Sequence, residues 1–140
     1  MWHYLTFAPT AVALIVLVAV LAKLGRTPRA GKAWLAAVAL SLISWGTTVV
    51  LLYSRGTGSL IADFVPQRDL GYWLGSAVLA SAPFLVVTGV SRFLVRAPRV
   101  SSSLALALTP LAVLGWLVSP GLFAAGWVFG CVAFGYRSCL

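Results

Sequence analysis

Charge is missing from this chain in long blocks, and those gaps constrain its fold more than any motif does. Met1–Ala22, Ala33–Ser54, Leu70–Ser91 and Val100–Tyr136 contain no Lys, Arg, Asp or Glu. A helix rises about 1.5 Å per residue and a bilayer's hydrocarbon core is about 30 Å thick, so each of the first three blocks has the length of one crossing. A soluble fold is a poor alternative. The 140 residues are 61% hydrophobic and 9% charged, against about 25% charged in an average soluble domain.

The fourth block is too long for one upright crossing, at about 55 Å as a single helix. Ser119-Pro120-Gly121 lies near its middle and combines three turn-forming residues. The sequence therefore predicts a helical hairpin that turns there, with spans Val100–Ser119 and Pro120–Tyr136. The expected fold is an all-α integral membrane protein, a polytopic transmembrane helical bundle of five spans forming a single domain over 1–140. The alternative is four spans with a kinked or re-entrant last element, because transmembrane helices tolerate proline.

The cations select an orientation. Lys23, Arg26, Arg29 and Lys32 follow the first block, and Arg92, Arg96 and Arg99 follow the third. Only Arg55 and Arg68 lie between the second and third. Basic loops face the cytoplasm, which puts the N-terminus outside, residues 54–70 in an outer loop and, with five spans, the C-terminus in the cytoplasm. The net charge of +8 is spread in short clusters between apolar runs, a pattern that calls for anionic headgroups and not for nucleic acid. Trp2, Tyr4, Tyr53, Tyr72, Trp73 and Trp116 fall near expected outer ends, where amphipathic rings are favoured. Trp45 and Trp127 fall deeper, where an indole N–H needs a partner. The first block lacks a preceding basic segment, so it reads as a retained span and not a cleaved signal.

Residues with reactive chemistry are few. Asp63 and Asp69 are the only acids, and both sit in the outer loop with Arg55 and Arg68. They read as a solvated, locally paired cluster, with a partner or lipid contact as the sharper role. Two carboxylates do not make a metal site, and no catalytic motif surrounds them. Ser59–Val65 has the pattern of a short interfacial helix. His3 is the one histidine, which excludes a bis-histidine haem within the chain. Cys131 and Cys139 are eight residues apart, about 12 Å along a helix and beyond disulfide reach. Cys139 is open to palmitoylation but not to prenylation, which requires a cysteine fourth from the end. No ionisable side chain occupies the middle of a block, which argues against a self-contained ion-driven carrier. Small multidrug exporters need a membrane-embedded glutamate, and four-span quinone-linked thiol oxidoreductases need paired cysteines; neither feature is present. No cofactor, metal or catalytic residue is expected.

Two features point to helix contacts. Ser41, Ser44 and Thr48 share one face and read as a packing seam or a narrow polar path. Gly71 and Gly75, and Gly126 and Gly130, form two G-x-x-x-G motifs, which let helix backbones approach closely. They serve either packing within the chain or an interface with other membrane subunits or copies of itself. The expected function is a non-catalytic integral subunit of a larger membrane complex, with a structural, lipid-contacting or assembly role. One alternative is a homo-oligomeric pore-forming protein of the holin or toxin kind, and another is a small transporter or flippase component for a lipid-linked substrate. For the acidic pair the expectation is testable. Asp63→Asn with Asp69→Asn should leave membrane yield and metal content unchanged, and a fall in bound metal at normal yield would mark the pair as ligands.

Overall fold

The structure, a computed structural model, describes residues 2–24, 30–54, 70–96 and 104–133. All of its regular elements are helices: α1 Trp2–Thr6, α2 Ala8–Leu24, α3 Ala30–Ser54, α4 Leu70–Arg96 and α5 Leu104–Ala133. Three segments are long and apolar enough to cross a membrane, Gly31–Leu51, Leu74–Arg96 and Leu104–Gly130, and the shorter Ala8–Leu24 is apolar as well.

The four long helices form a closed bundle in which each packs on its neighbours in chain order and α5 returns to α2. The α4–α5 pair is the most extensive. All neighbours run antiparallel. Thr10 meets Ser44, Trp45 meets Ser76, Gly75 meets Gly126 and Phe7 meets Phe123 at one end. Toward the other end, Trp34 lies beside Gly89, and Lys23, Lys32, Arg92 and Arg96 are the charged residues of the described set there. We refer to these as the hydroxyl end and the basic end.

The first charge-free block is divided at Phe7. Pro9 has no N–H to donate to the Leu5 carbonyl, and its ring crowds that carbonyl. The Thr10 amide donates to the Phe7 carbonyl three residues back, at 3.0 Å, sharing it with the regular bond from the Ala11 amide at 3.4 Å. The short α1 is offset by this break and packs on α2, α3 and α5.

The expected hairpin at Ser119-Pro120-Gly121 is not formed. α5 runs through it as one 30-residue helix, about 45 Å long. The local reason is that the Trp116 carbonyl, which Pro120 cannot bond, accepts a hydrogen bond of 2.7 Å from Ser119 Oγ. A side chain thus replaces the missing backbone donor, the means by which helices in apolar surroundings keep proline. The tertiary reason is that Gly126 and Gly130, beyond the proline, pack on α4, and a turn at 119–121 would carry them away. The end of α5 consequently lies at the hydroxyl end, where α2 begins, instead of at the basic end as the hairpin required.

Ser119 is 3% exposed, so its loss cannot be made good by water. Ser119→Ala should destabilise the bundle by about 1 kcal/mol. In a Pro120→Ala background, where the amide of residue 120 supplies the bond, the same change should cost almost nothing. Unfolding equilibria of the four proteins in bicelles measure this cycle, and equal losses in both backgrounds would refute the repair.

Candidate functional site

Polarity inside the bundle is divided by depth. Toward the basic end the interior is a continuous apolar cluster that includes Leu14, Leu17, Leu21, Ala33, Ala37, Phe84, Val87 and Leu108. Thr88 and Ser91 are buried at this depth too. Their hydroxyls donate to the Phe84 and Thr88 carbonyls of their own helix, at 2.8 and 2.7 Å. Toward the hydroxyl end the buried set changes to Thr6, Thr10, Ser41, Ser44, Thr48, Ser76 and Ser119, with the Phe7–Phe123 edge contact among them at 5.7 Å between ring centroids.

Several of these hydroxyls join helices. Ser44 Oγ donates to Thr10 Oγ1 across α3 and α2 at 3.0 Å. Trp45 Nε1 donates to Ser76 Oγ across α3 and α4 at 3.0 Å, which supplies the deep partner that an indole in mid-span requires. The face predicted from Ser41, Ser44 and Thr48 is buried; Ser41 bonds the Val38 carbonyl of its own helix and Ser44 bonds α2. The Thr48 hydroxyl and the Trp116 Nε1 are buried without a hydrogen-bond partner among the described residues. Tyr4 of α1 meets the Trp116 ring edge-on, 5.6 Å between centroids.

The glycines make the closest contact of the bundle. A Cβ added at Gly75 would fall 2.7 Å from Gly130 Cα and 2.8 Å from its nitrogen, and would collide with the Gly126 carbonyl oxygen. A Cβ at Gly126 would fall 2.6 Å from the Gly75 carbonyl oxygen and 2.7 Å from Ser76 Cα. Gly75 of the first motif therefore faces both glycines of the second within one chain. Further along the same pair, a Cβ at Gly115 would meet Pro83 Cβ at 2.9 Å. Gly71 lies in the first turn of α4. Sequence reasoning found the two motifs separately but missed their pairing and the Pro83–Gly115 contact, because both depend on the register of α4 against α5.

Outside the bundle the helices stay apolar. Val12, Ile15, Leu35, Leu42, Val78, Val86, Leu114 and Phe129 are among many large exposed hydrophobic residues. The exposed hydroxyls of Thr47, Ser81 and Thr109 bond carbonyls of their own helices at 2.6–2.8 Å. Apolar grooves run between neighbouring helices of the described residues. One of about 430 Å³ lies between α2 and α3 along Ala8, Pro9, Val12, Ala13, Val16, Leu40, Ile43, Ser44, Thr47 and Leu51. Another of about 370 Å³ lies between α2 and α5 and includes Trp116. A third of about 220 Å³ lies between α4 and α5.

Arg55, Asp63, Arg68 and Asp69, the predicted outer-loop cluster, lie outside the described residues, as do the short helix expected at Ser59–Val65 and Cys139. Among the buried described side chains there is no carboxylate, imidazole or amine. The arrangement offers hydroxyl and indole hydrogen bonds, close backbone contact and apolar surface. The chain matches no family model, and comparison with curated proteins and with solved structures yields no match either.

Substitution separates the packed glycines from the free ones. Gly126→Ala must push α4 and α5 apart and should cost about 1–3 kcal/mol, the range for overpacking a tight contact. Gly121→Ala, in the same helix with nothing within 4 Å of its added carbon, should be neutral or stabilising by up to about 1 kcal/mol through helix propensity. Unfolding of the two variants in bicelles tests the contrast; similar effects would contradict the pairing.

Proposed function

We propose that this chain is an integral membrane protein that crosses the bilayer four times and acts as a non-catalytic subunit of a larger membrane assembly. The observation that carries this reading is the inverted distribution of polarity. Away from the basic end, the large exposed side chains of all four long helices are apolar, whereas Ser44, Thr10, Ser76 and the indole of Trp45 are bonded between helices and the exposed hydroxyls of Thr47, Ser81 and Thr109 are bonded to backbone. A helix that is apolar on every side belongs in a protein core or a bilayer. The buried groups of the described bundle hold helices together, and what is left for other molecules is apolar flank and a cationic end.

Four crossings change the expected topology. The basic end faces the cytoplasm, and both termini face the opposite side, where five spans would have returned the C-terminus to the cytoplasm. A reporter active only in the cytoplasm, fused after Leu140, should be silent; activity there would restore an odd number of spans. Because Gly75, Gly126 and Gly130 are occupied within the chain, contacts with partners fall to the outer flanks.

The native mass of the complex in mild detergent tests the assembly role. Co-purified subunits of other mass support it. A homo-oligomer that also releases dye from vesicles would replace it with the pore reading, which lacks a polar outer stripe among the described residues. A lone monomer would refute both.

A further inference from the structure

Cations from three helices lie at one depth at the basic end. The Thr10–Ser44 bond sets α2 against α3. Lys23 lies thirteen residues after Thr10 and Lys32 twelve residues before Ser44, about 20 and 18 Å along their axes. On α4, the contact of Trp34 with Gly89 puts Arg92 about 2 Å farther out than Lys32, and the Trp45–Ser76 bond puts it about 5 Å farther out, at a rise of about 1.5 Å per residue. Arg96 follows one turn beyond. Lys23, Lys32 and Arg96 are exposed and Arg92 is half-buried. The three helices that carry them pack on one another.

The sequence brings no carboxylate side chain to this layer. The segments 25–29 and 97–103, which join helices at the basic end, contain no Asp or Glu and add Arg26, Arg29 and Arg99. Asp63 and Asp69, the only acids, belong to the connection between the opposite ends of α3 and α4. Beside the cations, Leu35 and Phe93 are 70% and 75% exposed. The charges therefore stand at the rim of an apolar flank, the depth at which a phospholipid carries its phosphate above its acyl chains. A soluble anion would match the charge but not the flank.

We infer that anionic phospholipid bridges the basic ends of α2, α3 and α4, its phosphate drawing together cations of neighbouring helices. This rests on the membrane reading above and gives one class of lipid a structural part in the bundle. At the hydroxyl end, Ser44–Thr10 and Trp45–Ser76 tie α3 to both of its neighbours. In the basic half, the buried hydroxyls of Thr88 and Ser91 close on their own helix. Packed helix axes lie about 8–10 Å apart, so the cations repel one another unless an anion lies between them. Lysine carries its charge on a flexible four-carbon stem, which lets ammonium groups on adjacent helices reach one phosphate.

The test is amide hydrogen exchange of the full chain in nanodiscs of phosphatidylcholine, alone or with about one quarter phosphatidylglycerol of the same acyl chains to make the surface anionic. Phosphatidylglycerol should slow exchange about fivefold in the last turns of α2 and α4 and the first turn of α3, the worth of one basic residue at an anionic surface. The turns around Thr10, Ser44 and Ser76 should not change. Lys23→Gln with Lys32→Gln should abolish the slowing. In phosphatidylcholine alone this double variant should exchange no faster than the native chain, because it removes repulsion; lysines that served only packing would give faster exchange. Arg137→Gln, which removes a charge after the hydroxyl end of α5, should keep the lipid effect. Equal rates in the two membranes, slowing spread evenly along all four helices, slowing that survives the double variant, faster exchange of that variant in phosphatidylcholine, loss of the effect in Arg137→Gln, or the same slowing from inorganic phosphate in phosphatidylcholine discs would each overturn the inference. The same data separate it from the membrane reading. Slow exchange along all four helices in phosphatidylcholine, with no effect of phosphatidylglycerol, refutes the bridge alone; fast exchange throughout refutes the membrane reading.

Discussion

The bundle depends on two helix backbones coming close enough to touch. Gly75 of α4 lies against Gly126 and Gly130 of α5, and Pro83 lies against Gly115 of the same helix. On the membrane reading proposed above, no hydrophobic force favours association of apolar helices, so contact area and hydrogen bonds supply the attraction. Removing the side chains from the crossing lets long stretches of both helices meet. It also explains why α5 stays continuous through Pro120. The glycines that make the contact lie beyond the proline, so a continuous helix gains their packing, whereas a hairpin would forfeit it.

The second organising fact is where polarity is placed. A water-soluble bundle hides leucine and shows serine. This one shows leucine, valine and phenylalanine and hides serine and threonine, chiefly in one half of its length. The bonds Ser44–Thr10 and Trp45–Ser76 link α3 to both of its neighbours at nearly the same level. They complement the glycine contact, which links α4 to α5. Three of the four helix interfaces are thereby tied at the hydroxyl end. The basic half relies on the apolar interlocking of Leu14, Leu17, Phe84, Val87 and Leu108.

Much of the fold was legible because the charge gaps coincide with the long apolar helices. The positions of α3 and α4, the buried face of Ser41, Ser44 and Thr48, and the need of Trp45 for a partner all follow from spacing. The break at Phe7 was not anticipated, since the absence of charge over Met1–Ala22 does not register the proline at position 9. The reading of Ser119-Pro120-Gly121 failed for an instructive reason. Turn statistics describe chains in water, where a freed carbonyl finds solvent; here the serine that signalled a turn is the group that repairs the helix. The glycine motifs were legible as contact surfaces but not as each other's partner, because that depends on register between segments fifty residues apart. The cluster of Arg55, Asp63, Arg68 and Asp69 falls outside the described residues.

The helices also differ in length, and neighbours differ most. α2 has 17 residues and the adjoining α5 has 30, about 25 Å against about 45 Å. In a bilayer the lipid beside α2 must thin, and the lipid beside α5 must stretch or α5 must tilt, at fractions of a kcal/mol per Å of mismatch. The molecule is then a wedge in the plane of the membrane, with a thin flank and a thick one. On the membrane reading proposed above, strain of that kind would be relieved by a protein of matching height alongside, so the thick flank of α4 and α5 would favour tall neighbours without any specific residue contact.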